Sequence, residues 1–157
     1  MDYALTLNCP VAIRYPKNSK ILQEHVKINQ DNLWTIIKEG SKVNILAVGP
    51  NMLSLAKECA ENFDGVGVIS ARSIKPMCEK TLNKIKQSAI IVLEENSIIG
   101  GFGSMVSTYY ANQGINVKIS IMGIKDEFIK HGFIDSQMKD NGLSKENLEK
   151  EISKYLF

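Results

Sequence analysis

The sequence predicts an α/β domain: a three-layer α/β/α fold on a mostly parallel five-stranded sheet with one antiparallel strand. Three observations predict it. From residue 43 onward, short runs rich in Val, Ile and Leu alternate with stretches whose apolar residues recur at helical spacing. One run, Ala89-Ile90-Ile91-Val92-Leu93, is apolar at every position, the pattern of a parallel strand covered on both faces. Ahead of the alternation, a run at 34–40 meets the run at 43–48 across Gly40-Ser41, which reads as a tight turn joining an antiparallel pair.

Taken in order, residues 2–7 read as the tail of a helix, and so abrupt a start is expected of a truncated chain. Residues 9–16 form a β-rich run bounded by Pro10 and Pro16, expected to be a strand or an extended segment ending at Arg14 or Tyr15. Residues 17–32 are polar and predict a connector. After the runs at 34–40 and 43–48, Gly49-Pro50 stops the chain. Met52, Leu55, Ala56, Cys59, Ala60 and Phe63 then repeat at helical spacing. A strand is predicted at 65–71, a short helix at 81–87 with Leu82 and Ile85 inward, and a strand at 89–95. Gly100-Gly101-Phe102-Gly103-Ser104 opens a helix ending near Asn112, and 117–122 is the fifth strand. Ser144 supplies an N-cap hydroxyl and Glu146 early acidic charge for a last helix, whose stripe is Leu148, Ile152, Tyr155 and Leu156.

Composition narrows the function classes. At 157 residues, with 44% hydrophobic and 23% charged residues, the chain can bury a core without disulfides. A net charge of +2, from scattered lysines, gives no footprint for nucleic acid. No run reaches the roughly 18–20 apolar residues that a membrane span needs. Cys9, Cys59 and Cys78 are odd in number and widely spaced, which fits reduced thiols in a cytoplasmic protein and no zinc framework.

Open parallel sheets bind ligands at the carboxyl ends of their strands. Four segments are placed there: 14–17, 72–76, 94–104 and 123–132. Arg14 offers a planar fork suited to bidentate phosphate binding, with Lys17 adding charge; a surface ion pair is the plainer alternative. Arg72 and Lys75 are read as salt-bridging residues. The amides of the 100–104 turn could take an anion, but a tight turn that lets helix and neighbour approach closely is the better reading, because the turn matches neither a dinucleotide nor a P-loop motif. Glu94 and Glu95 are adjacent, so they should point to opposite faces and not converge; a structural role is expected, such as bonding backbone amides in the glycine turn or across a subunit contact. His25 and His131 are read as structural or solvated. No GxSxG or HExxH motif occurs.

Six segments carry a resemblance: residues 10–17 (Pro-Val-Ala-Ile-Arg-Tyr-Pro-Lys), 44–49, 71–76 (Ala-Arg-Ser-Ile-Lys-Pro), 92–96 (Val-Leu-Glu-Glu-Asn), 100–104 and 123–132. In this order and spacing the chain resembles the C-terminal domain of the 1-deoxy-D-xylulose-5-phosphate synthase family, within the transketolase group. The resemblance runs from about Ala4 into the last helix. It implies that residues 1–32 finish a preceding domain (last helix, strand and linker) and that residues 33–157 form a transketolase-type C-terminal α/β domain. It also implies a transferase that condenses pyruvate with glyceraldehyde 3-phosphate, releases carbon dioxide and feeds isoprenoid and thiamine synthesis. The family uses thiamine diphosphate and Mg2+, held by its other domains, and acts as a homodimer.

By the same resemblance, Arg14 grips the phosphate of the aldehyde substrate, Tyr15 orients the loop and Lys17 contributes more weakly. The family usually has arginine and glycine where Lys17 and Asn18 stand. The family's diphosphate motif, its activating glutamate and its middle-domain histidines are absent. No cofactor is therefore expected on this chain, nor activity without the thiamine-binding domains. The alternatives are the C-terminal domain of a transketolase or of a 2-oxo acid dehydrogenase β subunit, a non-catalytic binding module, or a flavodoxin-like carrier.

Overall fold

The computed structural model describes residues 2–15 and 33–156. In chain order the elements are α1 (Asp2–Thr6), β1 (Trp34–Lys38), β2 (Val43–Ala47), α2 (Pro50–Ala60), β3 (Val66–Ala71), α3 (Glu79–Ile85), β4 (Ala89–Ser97), α4 (Phe102–Asn112), β5 (Ile119–Ile124), α5 (Ile134–Asp140) and α6 (Lys145–Leu156). The five strands form one sheet in the order β1-β3-β2-β4-β5, with β1 antiparallel and the rest parallel. This is the fold class the sequence predicts.

Alternation along the strands sorts the side chains into two cores. Val43, Ile45 and Ala47 of β2 and Ile91 and Leu93 of β4 pack with Met52, Leu53 and Ala56 of α2 and Leu148 and Ile152 of α6. On the other face, Leu46, Ile90 and Val92 pack with Leu82 and Ile85 of α3 and Phe102, Val106 and Tyr110 of α4. Central strands β2 and β3 are buried at every position, which explains why their sequences lack polar alternation. Lys38, on edge strand β1, donates to the carbonyls of Ala60 (2.5 Å) and Phe63 (3.3 Å) and so places a cation at the carboxyl end of α2.

One pairing differs from expectation. Gly40-Ser41 does not join neighbouring strands: β1 pairs with β3, Trp34 opposite Ala71, and β2 lies on the far side of β3. The link instead steps across the amino end of β3. Gly40 and Gly67 meet there, and a Cβ on either would overlap the backbone of the other. Asn44 seals the crossing by donating to the Gly40 carbonyl (3.0 Å) and to Ser88 Oγ (2.9 Å), while Ser88 donates to the Ile85 carbonyl (2.7 Å). Two apolar runs around a glycine look the same in sequence whether they form a hairpin or such a crossing.

Two further differences are local. Residues 10–15 belong to no strand or helix. Helix α5 lies beyond the predicted loop at 123–132; it has no buried residue, so no apolar period betrays it. The polar connector lies outside the described residues, apart from its flanks.

Gly67→Ala should destabilise the chain by about 1–3 kcal/mol, the usual range for forcing atoms into filled space. Urea unfolding followed by circular dichroism reads this directly; an unchanged midpoint would show that the crossing has slack.

Candidate functional site

Neighbouring strands β2 and β4 send their chains to opposite faces, β2 into α2 and β4 into α4. Where consecutive connections diverge in this way, a crevice opens beyond the carboxyl ends of the strands. Its walls are the turn at Gly49-Pro50-Asn51 and the end of β4 from Glu94 to Gly101. Gly49 has φ +87°, a left-handed conformation that suits glycine, and Pro50 starts α2 directly after it.

The adjacent carboxylates do diverge. Glu94 is 1% exposed, and its two oxygens accept the amides of Phe102 (2.8 Å) and Gly103 (2.9 Å) at the start of α4. A negative charge at a helix amino end is favourable, and two charge-assisted bonds offset its burial. This resolves the glycine turn: its amides are filled by the chain's own carboxylate, not offered to an external anion. Glycine is required for the approach. A Cβ on Gly101 would stand 2.7 Å from Glu94 Oε2, and one on Gly103 2.6 Å from Ile121 Cγ2.

Glu95 faces α2, where Asn51 Nδ2 donates to its Oε1 (2.9 Å). Its main-chain carbonyl accepts from Arg14 Nη2 (3.1 Å). Arg14 is exposed, so its guanidinium meets solvent beside the carboxyl end of β4. Among the described residues no carboxylate pairs with it. Tyr15, next in the chain, is 76% exposed. Lys17 and His25 lie outside the described residues. Asn51 is a polar group that the sequence does not single out; its signal is its position two residues beyond a left-handed glycine at a strand end.

The other candidates lie elsewhere. Arg72 donates to Thr35 Oγ1 and so ties the end of β3 to edge strand β1. Lys75 and His131 are exposed. Two clefts, of about 510 Å³ beside Trp34 and Lys84 and about 470 Å³ among Lys42, Lys86 and Lys118, do not include Arg14. Among the described residues no group of three His, Cys, Asp or Glu side chains could hold a metal.

Cys59 is fully buried, and burial first, then nearby Glu149 and Glu58, pushes its thiol up to about 12. A thiol reagent at pH 8 should therefore label exposed Cys9 promptly and Cys59 only on unfolding, as read by mass spectrometry of timed samples. Glu94→Ala strands two buried amides and should cost about 2–5 kcal/mol, whereas Glu94→Gln keeps an acceptor and should cost less. Equal losses in urea unfolding would show that the hydrogen bonds are not what matters.

The comparisons with known proteins agree with this geometry. The family described as "Transketolase, C-terminal domain" matches residues 33–148. The 1-deoxy-D-xylulose-5-phosphate synthase of Clostridium tetani is 37% identical over 165 residues, covering 99% of this chain and 26% of that protein. That of Pseudoalteromonas translucida is 35% identical over 154 residues, covering 95% and 24%. The chain thus spans about a quarter of the length of these curated relatives. A solved structure titled "Split gene transketolase, inactive beta4 tetramer" superposes with a TM-score of 0.75 at 24% identity, over 88% of this chain and 46% of that one, which shows a shared fold. With its mostly parallel sheet, its crevice at the ends of β2 and β4 and the family match across residues 33–148, this chain belongs to the transketolase C-terminal domain family.

Proposed function

We propose that this chain is the C-terminal portion of a thiamine-diphosphate-dependent transferase of the 1-deoxy-D-xylulose-5-phosphate synthase type, joining pyruvate and glyceraldehyde 3-phosphate with loss of carbon dioxide. Its own task is to bind the phosphate of the aldehyde and to support dimer contacts. One observation carries this reading: an exposed guanidinium with no carboxylate partner among the described residues, held by one nitrogen beside the carboxyl end of β4, which walls a switch-point crevice. A planar fork fixed in this way can present its remaining N–H groups to a phosphate dianion. Tyr15, next in the chain and exposed, is assigned the orientation of this segment. Lys17 is assigned a weaker contact to the same phosphate.

In this reading residues 1–32 finish the preceding domain and 33–157 form the C-terminal one. Cofactor and magnesium belong to the other domains of a cytoplasmic homodimer, and this chain alone is inactive. The similarity to synthases from two bacterial genera over nearly the whole chain supports the choice of reaction. The exposed apolar side chains of Ile99, Phe128 and Phe133, near the carboxyl ends of β4 and β5, support burial by partner domains.

In the assembled enzyme, Arg14→Ala should raise KM for glyceraldehyde 3-phosphate about 10–100-fold, the span of one or two lost charge-assisted bonds, and leave the KM for pyruvate unchanged. Steady-state kinetics with glyceraldehyde 3-phosphate and with unphosphorylated glyceraldehyde check this. An equal loss for both aldehydes would exclude a phosphate role. Turnover of 2-oxo acids without aldehyde condensation would exclude the synthase reading.

A further inference from the structure

We infer that Asn51 is a positioning residue for Arg14, acting through Glu95; this deepens the proposed phosphate grip and rests on it. Arg14 lies in a segment with no buried residue, and a long flexible side chain loses rotamer freedom when it grips a ligand. Its anchor among the described residues is the Glu95 carbonyl. The aim of the fork therefore depends on how firmly that carbonyl is fixed.

The sheet itself fixes it weakly. Pairing of β4 with β2 ends at Leu93 opposite Ala47. Pairing with β5 shifts register between Leu93 and Ser97, so Glu95 falls in the irregular stretch. Side chains take over there. Glu94 clamps one face of the stretch to α4. On the other face, Asn51 Nδ2 holds Glu95 Oε1 at 2.9 Å from the first turn of α2. The Gly49 turn leaves room for this carboxylate: a Cβ there would lie 3.6 Å from Glu95 Oε2. The chain of contacts runs from helix amide to carboxylate, along one residue to its carbonyl, and on to the guanidinium.

The test uses the assembled enzyme. Asn51→Ala should raise KM for glyceraldehyde 3-phosphate about three- to tenfold, the effect of one lost hydrogen bond, with kcat, pyruvate KM and unphosphorylated glyceraldehyde unaffected. Asn51→Asp removes the donor and sets a like charge beside Glu95, so its rise should be larger. Urea unfolding of both Asn51 variants, with midpoints that leave the chain folded under assay conditions, separates a KM rise from loss of fold. The double variant Arg14→Ala/Asn51→Ala should be no worse than Arg14→Ala alone. If Arg14→Ala discriminates between the two aldehydes while both Asn51 variants keep the parental KM, or shift both aldehydes alike, this inference is overturned and the phosphate grip stands. If Arg14→Ala does not discriminate, the grip itself fails and the inference falls with it.

Discussion

A carboxylate buried against two main-chain amides holds the carboxyl end of this sheet together. Desolvating a charge costs several kcal/mol, so Glu94 can sit at 1% exposure only because α4 meets it with its first free N–H groups. That requirement propagates outward. The helix must come close, so positions 101 and 103 carry no side chain, and β5 must pass close to the same spot, where a Cβ on Gly123 would lie 3.2 Å from Glu94 Cγ. The hydroxyl of Ser104 donates to the Ile98 carbonyl at 2.6 Å and closes the turn from the other side. The glycine-rich signature is thus a negative image of one side chain. What resembles an anion site in sequence is an anion site whose ligand is internal.

Because β4 alternates, the residue after Glu94 must face the other helix layer. Glu95 is turned toward α2 and the crevice, and its carbonyl is presented to Arg14. One carboxylate locks the strand end to the architecture, and the next works at the surface. The division needs no difference in residue type, only a difference of one position along a strand whose two faces are covered by different helices.

Much of this was legible in the sequence, for identifiable reasons. Consecutive Ile and Val from Ala89 to Leu93 can belong only to a strand covered twice, and the stripe of Leu148 and Ile152 can belong only to a helix on a core. The divergence of Glu94 and Glu95, and the bonding of glycine-turn amides, follow from period two and from the shortage of other donors. Strand neighbours were not legible, because an apolar run does not encode its partner; the β1–β3 pairing depends on two backbones crossing at Gly40 and Gly67, residues far apart in sequence. Asn51 was hidden because its role depends on the register shift at the end of β4. Helix α5 was hidden because it has no fully buried residue and sets a single apolar side chain, Met138, against the core.

The segment bearing Arg14 belongs to no strand of the sheet. It reaches the end of β4 although the strand that follows it in sequence, β1, lies at the opposite border of the sheet. None of residues 2–15 contributes to either core. The arm that carries Arg14 is therefore a tether laid over a finished scaffold. Its composition can drift at little thermodynamic cost to the scaffold beneath.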